Sequence, residues 1–114
     1  MASTALLVLL NQTGVNASVN GDKVSSKPFS KDHIGVLTIS NQSSINADIV
    51  IQHSPDGNNW FDYIDFGNKT ADGTSISIPA ADVQPLLGQV RASITINAGS
   101  ADFAVKLAYD PNRS

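Results

Sequence analysis

The side chains with the most chemical potential fall between residues 52 and 66. Asp56-Gly-Asn-Asn59 followed by Asp62 offers oxygen donors at near-alternate positions, a donor set that calcium accepts. The spacing is not that of an EF-hand, and no Glu closes the segment as a bidentate ligand. Turn formation accounts for the same residues without an ion, so neither a metal nor any other cofactor is expected. The neighbouring Trp60-Phe-Asp-Tyr-Ile-Asp-Phe66 places Trp60, Asp62, Ile64 and Phe66 on one face of a strand and Phe61, Tyr63 and Asp65 on the other. Trp60 is expected in the core, because Trp is highly buried on average. The alternative is that Trp60, Phe61 or Tyr63 forms an exposed platform for a sugar ring or a protein hot spot.

Catalytic constellations are harder to assemble. The two histidines, His33 and His53, belong to different strands, and Asp32 beside His33 would point to the opposite face. There is no Gly-x-Ser-x-Gly elbow. With no legible nucleophile, base and oxyanion donor, the chain is not expected to be an enzyme. Nucleic acid is an unexpected partner too: the net charge is −3, and Lys23, Lys27 and Lys31 are flanked by Asp22 and Asp32. The chain has no cysteine, which excludes disulfides and thiolate zinc sites.

The elements that would position these residues read as strands. Ile45–His53, Val90–Asn97, Phe103–Tyr109 and Thr74–Ile78 alternate apolar and polar residues with period two, and Ile34–Ser40 is apolar but less regular, with Gly35 marking a candidate bulge. Ser54-Pro-Asp-Gly-Asn-Asn59 and Lys69-Thr-Ala-Asp-Gly73 are turn sequences, and Asn97-Ala-Gly-Ser100 is short enough for a hairpin. Residues 79–88 hold the one candidate helical turn, cut short by Pro85 and Gly88. Residues 14–31 read as a long polar loop or weak edge strand. The expected fold is all-β: one antiparallel β-sandwich spanning 1–114, Ig-like or jelly-roll-like, with about seven or eight strands.

Residues 1–12 form a first strand or an arm exchanged between subunits. In Leu6-Leu-Val-Leu-Leu10, strict alternation sends Leu6, Val8 and Leu10 one way and Leu7 and Leu9 the other. A sandwich strand has one covered face, so either the 14–31 segment lies over the second or Leu7 and Leu9 meet another subunit. The apolar run lacks the basic flank of a signal peptide and is too short for a membrane span, so no membrane contact is expected. The Asn-x-Ser/Thr triplets at Asn11, Asn16, Asn41 and Asn68 read as products of an Asn/Ser/Thr-rich surface.

Gln52-His-Ser-Pro-Asp-Gly-Asn-Asn-Trp-Phe-Asp62, with Val90–Asn97 and Ala101–Leu107 downstream, resembles small β-sandwich virion proteins of tailed phages. The resemblance runs over roughly residues 34–109. It implies a capsid decoration (cement) protein: a homo-oligomer, commonly a trimer, that bridges the major capsid protein in a virion assembled in the host cytoplasm. It implies no catalytic residue. The alternatives are a carbohydrate-binding or adhesion module and a tail or baseplate accessory module.

Overall fold

The computed structural model describes residues 5–25, 34–78 and 88–109. Every regular element within them is a strand: β1 (Ala5–Val15), β2 (Val19–Asn20), β3 (Val24–Ser25), β4 (Ile34–Ser54), β5 (Phe61–Lys69), β6 (Gly73–Ser77) and β7 (Gln89–Tyr109). All seven join one antiparallel sheet, whose main path runs β1-β7-β4-β5; β2 and β3 pair with β7, and β6 pairs with β4. The residues 79–87 that carry the expected helical turn lie outside the described residues. So do residues 26–31 of the polar 14–31 segment; its earlier part supplies the two short strands β2 and β3 on β7.

Two 21-residue strands organise everything. The apolar alternation of Ile34–Ser40 continues through Ile45–His53 as the single strand β4, and that of Val90–Asn97 continues through Phe103–Leu107 as β7. They pair along their whole length, from Ile34↔Ala108 to Ser54↔Gln89. Residues 97–100 are therefore not the expected hairpin, because both flanks of this segment pair with the same partner. They form a corner at which β4 and β7 bend together and the register slips between Ser40 and Ala47. Asn41 and Ser44 take left-handed φ of 52° there. Gly99 has φ of 75°, and a Cβ on it would overlap the carbonyl oxygens of Ser43 and Ser44. Asp102 fastens the bend by accepting the Asn41 side-chain amide at 2.8 Å and the Gly14 backbone N–H at 2.8 Å.

The corner folds the sheet onto itself in two layers. The first holds β1, the 102–109 end of β7, the 34–40 end of β4, and β6; the second holds β2, β3, the 89–98 end of β7, the 46–54 end of β4, and β5. Leu37, Phe103, Val105 and Leu107 of the first layer join Ile49, Ile51, Ile64, Val90 and Ile94 of the second in one buried core. Gly35 sits where the second layer packs close against the first: a Cβ there would stand 2.8 Å from the Phe66 ring and 3.1 Å from Ile51 and Ile64. It pairs regularly with Leu107 and Ser77, so close approach of the second layer, and not the expected bulge, explains this glycine.

Candidate functional site

Because paired residues in a sheet share a face, the register assigns each layer an outer surface. On the first layer the outer rows are Leu6, Ala108 and Ile34, then Val8, Lys106, Val36 and Ile76, then Asn11, Ala104, Thr38 and Thr74. Ile78, one residue past β6, continues the parity of Ile76. Leu6, Val8, Ile34, Ile76 and Ile78 are between 39% and 69% exposed, and among the described residues Phe61 is the other large apolar side chain so exposed. Among the described residues a single cation, Lys106, stands in the middle of this apolar surface.

The outer surface of the second layer is made of different groups. Arg91 Nε donates to Gln52 Oε1 at 3.0 Å, and Gln52 Nε2 donates to Asp62 Oδ1 at 3.2 Å. The Arg91 guanidinium lies 4.2 Å above the Trp60 ring. Further along, the Asn68 and Asn97 amides each donate to Asp48, at 3.0 and 2.9 Å, and to Asn46. These bonds, from Asn97 first, hold the Asp48 carboxyl below its ordinary pKa. Ser93 Oγ donates to Asn20 at 2.8 Å.

The first strand resolves differently from strict alternation. Val8 pairs with Lys106 and Leu10 with Val105, so Leu9 is an extra, bulged residue. The bulge turns Leu9 and Leu10 both inward, and both are buried; Leu7 is half-buried against the core. The outward residues are Leu6 and Val8, not Leu7 and Leu9. The slip follows from Val15↔Ala101 and Leu10↔Val105 both needing core positions, which an unbroken alternation from Leu7 could not meet at Leu10.

The aromatic segment contains two such bulges. β5 pairs Ile64 with Ile51 but Asp62 with Gln52, and Gly67 with Ile49 but Asp65 with Val50, leaving Tyr63 and Phe66 as the extra residues. Tyr63, Ile64 and Phe66 are all buried. Burial pushes the Tyr63 hydroxyl up to about 12. Trp60 is not core as expected but half-buried under Arg91, while Phe61 is 55% exposed beside His53, whose ring is also 5.0 Å from Tyr63. Partial burial lowers the His53 pKa. Trp60, Phe61 and Tyr63 therefore do not present one shared platform.

The acidic turn closes on itself. Asp56 Oδ1 accepts the backbone N–H groups of Asn58 and Asn59 and the Ser54 hydroxyl, Oδ2 accepts the Asn59 side-chain amide, and Ser54 Oγ accepts the Gly57 N–H. The backbone donors above all drive the Asp56 carboxyl far below its ordinary pKa. No group of three or more His, Cys, Asp or Glu stands together among the described residues.

No protein-family model matches the sequence, and a search of curated proteins finds no match. Among solved structures, the crystal structure of the SPBc2 prophage-derived protein YomS has a similar fold, with a TM-score of 0.59 at 10% identity over 96% of this chain and 95% of that one.

Proposed function

We infer that this chain is a non-enzymatic structural subunit of a phage particle, a capsid decoration protein that self-associates, as a trimer, and bridges neighbouring subunits of the major capsid protein. The observation that carries the inference is the apolar outer face of the first layer. Contiguous apolar surface across four strands marks a contact surface on a soluble domain, and Leu6, Val8, Ile34, Ile76 and Ile78 supply it. The fold shared with a prophage-derived protein over nearly the full length of both chains supports the phage setting. Among the described residues the carboxylates with perturbed pKa values, Asp48, Asp56 and Asp102, are each spent on a strand ladder, a turn or the corner, which supports a structural role.

Two measurements test this. Light scattering after size exclusion should show an oligomer at tens of micromolar, and Val8→Asp with Ile76→Asp should show a folded monomer. Mass spectrometry of purified heads and tails should find the chain in heads. Presence in tails alone would favour the tail or baseplate reading, and absence from particles would remove the structural reading. The carbohydrate-binding alternative draws less support, since Tyr63 is buried and one face of Trp60 is covered by Arg91.

A further inference from the structure

We propose that Asn20–Gly21 is a self-modification site, at which the Asn20 amide is kept from attack by the next backbone nitrogen only while β2 stays paired with β7. Of the ten asparagines in the chain, Asn20 alone precedes a glycine. No side chain then shields the following nitrogen, which can close on the amide carbon. The Gly21 nitrogen bonds to Asn20 Cγ, the Cγ–Nδ2 bond breaks, and ammonia leaves with the Gly21 amide proton. Water then opens the five-membered imide at one of its two carbonyls. One opening gives aspartate. The other gives isoaspartate, whose main chain runs through Cβ and Cγ and is one carbon longer.

The fold holds this reaction off through β2. Gly21 N–H donates to the Ala92 carbonyl at 2.8 Å, which occupies the nucleophile. Asn20 pairs with Ser93, and the extended backbone of a strand keeps the next nitrogen off the line of ring closure. Ser93 Oγ ties Asn20 Oδ1 to β7 at 2.8 Å. Yet β2 is short and its release is local: it has two residues, Asn20 is exposed, and Ser18 Oγ adds one bond by accepting Ile96 N–H at 3.0 Å. The reactive pair also has a structural reason to exist. A Cβ on Gly21 would overlap the Leu9 carbonyl oxygen at the bulge of β1, so close approach of the first strand demands glycine there. Isoaspartate would not fit the same ladder. With an extra carbon before residue 21, Val19↔Ile94 and Asn20↔Ser93 cannot be kept together with the Gly21–Ala92 bond. The chain ahead of Lys23 is then released, and Val19 leaves its place against the core.

Incubation of the full chain at mildly alkaline pH, followed by peptide mass mapping, tests the site, with the urea-unfolded chain alongside. Asn20 is expected to convert in the unfolded chain ahead of every other asparagine. In the folded chain it should convert at least about tenfold more slowly, since only opened molecules react. Ser18→Ala and Val19→Ala each loosen β2, and each should raise the folded rate at least about threefold while leaving the unfolded rate unchanged. Thermal melts confirm that the variants fold, and the exposed Ser18→Ala carries the test if Val19→Ala does not. Another asparagine reacting first in urea overturns the site. Equal rates in the folded and unfolded chain, or an unchanged folded rate in the variants, overturns the hold that β2 exerts. Trypsin reads the consequence at Lys23. The purified isoaspartate form should be cut there faster than fresh protein, and Asn20→Asp, which adds the charge without the extra carbon, should not. If the isoaspartate form is cut no faster, or Asn20→Asp is cut as fast, release of β2 by main-chain lengthening is overturned.

Discussion

The two outer faces of this sandwich are built on the same two strands yet suit different neighbours. On the β1 side of the corner, β4 and β7 turn Ile34, Val36, Ala104 and Ala108 outward; past the corner, the same strands turn out Asp48, Gln52, Arg91 and Ser93. The polar face satisfies its own hydrogen-bonding groups through the Arg91–Gln52–Asp62 and Asn97–Asp48–Asn68 chains, so water is a sufficient partner for it. On the apolar face Val8 and Ile76 are at least half exposed, and hydrocarbon exposed to water costs about 25 cal/mol per Å². The difference teaches that outward residues carry information about partners only after the register is known, since the alternation looks alike on both sides of the corner.

The comparison depends first on the corner. Replacing Gly99 by Ala forces a Cβ into the carbonyls of Ser43 and Ser44 and leaves a side chain at φ of 75°. The expected loss is about 3–5 kcal/mol, enough to unfold a marginal domain, read from urea denaturation. Gly67 has a similar φ of 76° with open space around it, so Gly67→Ala should cost only the backbone strain of about 1 kcal/mol. Equal losses at the two positions would show that the corner contact is not what makes Gly99 necessary.

The next largest effect separates inward from outward residues on β1. Leu9→Ala removes a buried side chain at the bulge and should cost about 2–4 kcal/mol. Leu6→Ala, on the exposed face of the same strand, should change monomer stability by less than about 0.5 kcal/mol while weakening assembly. If Leu9→Ala proved as mild as Leu6→Ala, the bulge at Leu9 would be wrong and the strict alternation right.

That bulge marks the limit of what the sequence makes legible. Period two locates the strands from Ile34 to Leu107 because each has one buried face, and the Ser-Pro-Asp-Gly turn follows from Pro55 and Gly57, the latter at φ of 78°. A bulge leaves no local signature: Leu9, Tyr63 and Phe66 are extra residues only with respect to a partner strand far along the chain. For that reason the exposed pair on β1 was legible as apolar and in the wrong phase, and the aromatics of β5 as two-faced when three residues in a row of four point inward. The corner hid for a similar reason. Asn97-Ala-Gly-Ser100 carries hairpin chemistry, and only the pairing of both its flanks with β4 shows a bend. The breadth of the apolar face was invisible too, since Val8, Ile34 and Ile76 become neighbours through three different strand pairings.

Acid should affect the faces in the same order as their carboxylates are bonded. Asp56, Asp102 and Asp48 all have folded pKa values below the 3.8 of an unperturbed carboxyl. Each therefore contributes stability that is fully present above about pH 4 and is lost as pH falls through its folded value. The melting temperature should be flat from pH 7 to 5 with respect to these groups and fall below pH 4. Asp56→Asn should be less stable at pH 7 and show a shallower acid slope, because it removes a strongly depressed carboxyl. An unchanged slope would mean that the turn bonds do not persist in solution.

The smallest expected effect concerns the polar face alone. The Arg91 guanidinium covers the Trp60 ring at 4.2 Å and donates to Gln52, an exposed stacking contact that contributes about 0.5–1 kcal/mol. Arg91→Ala should cost about that much, leave assembly intact, and uncover the indole, shifting its fluorescence to the red and raising its acrylamide quenching. Trp60 is the chain's one tryptophan, so the spectrum reports this site without ambiguity. Arg91→Lys should lie between the two, since an ammonium keeps the charge but cannot lie flat on the ring while holding the Gln52 oxygen. Loss of assembly in Arg91→Ala would move the contact surface onto the polar face and reverse the assignment of the two faces.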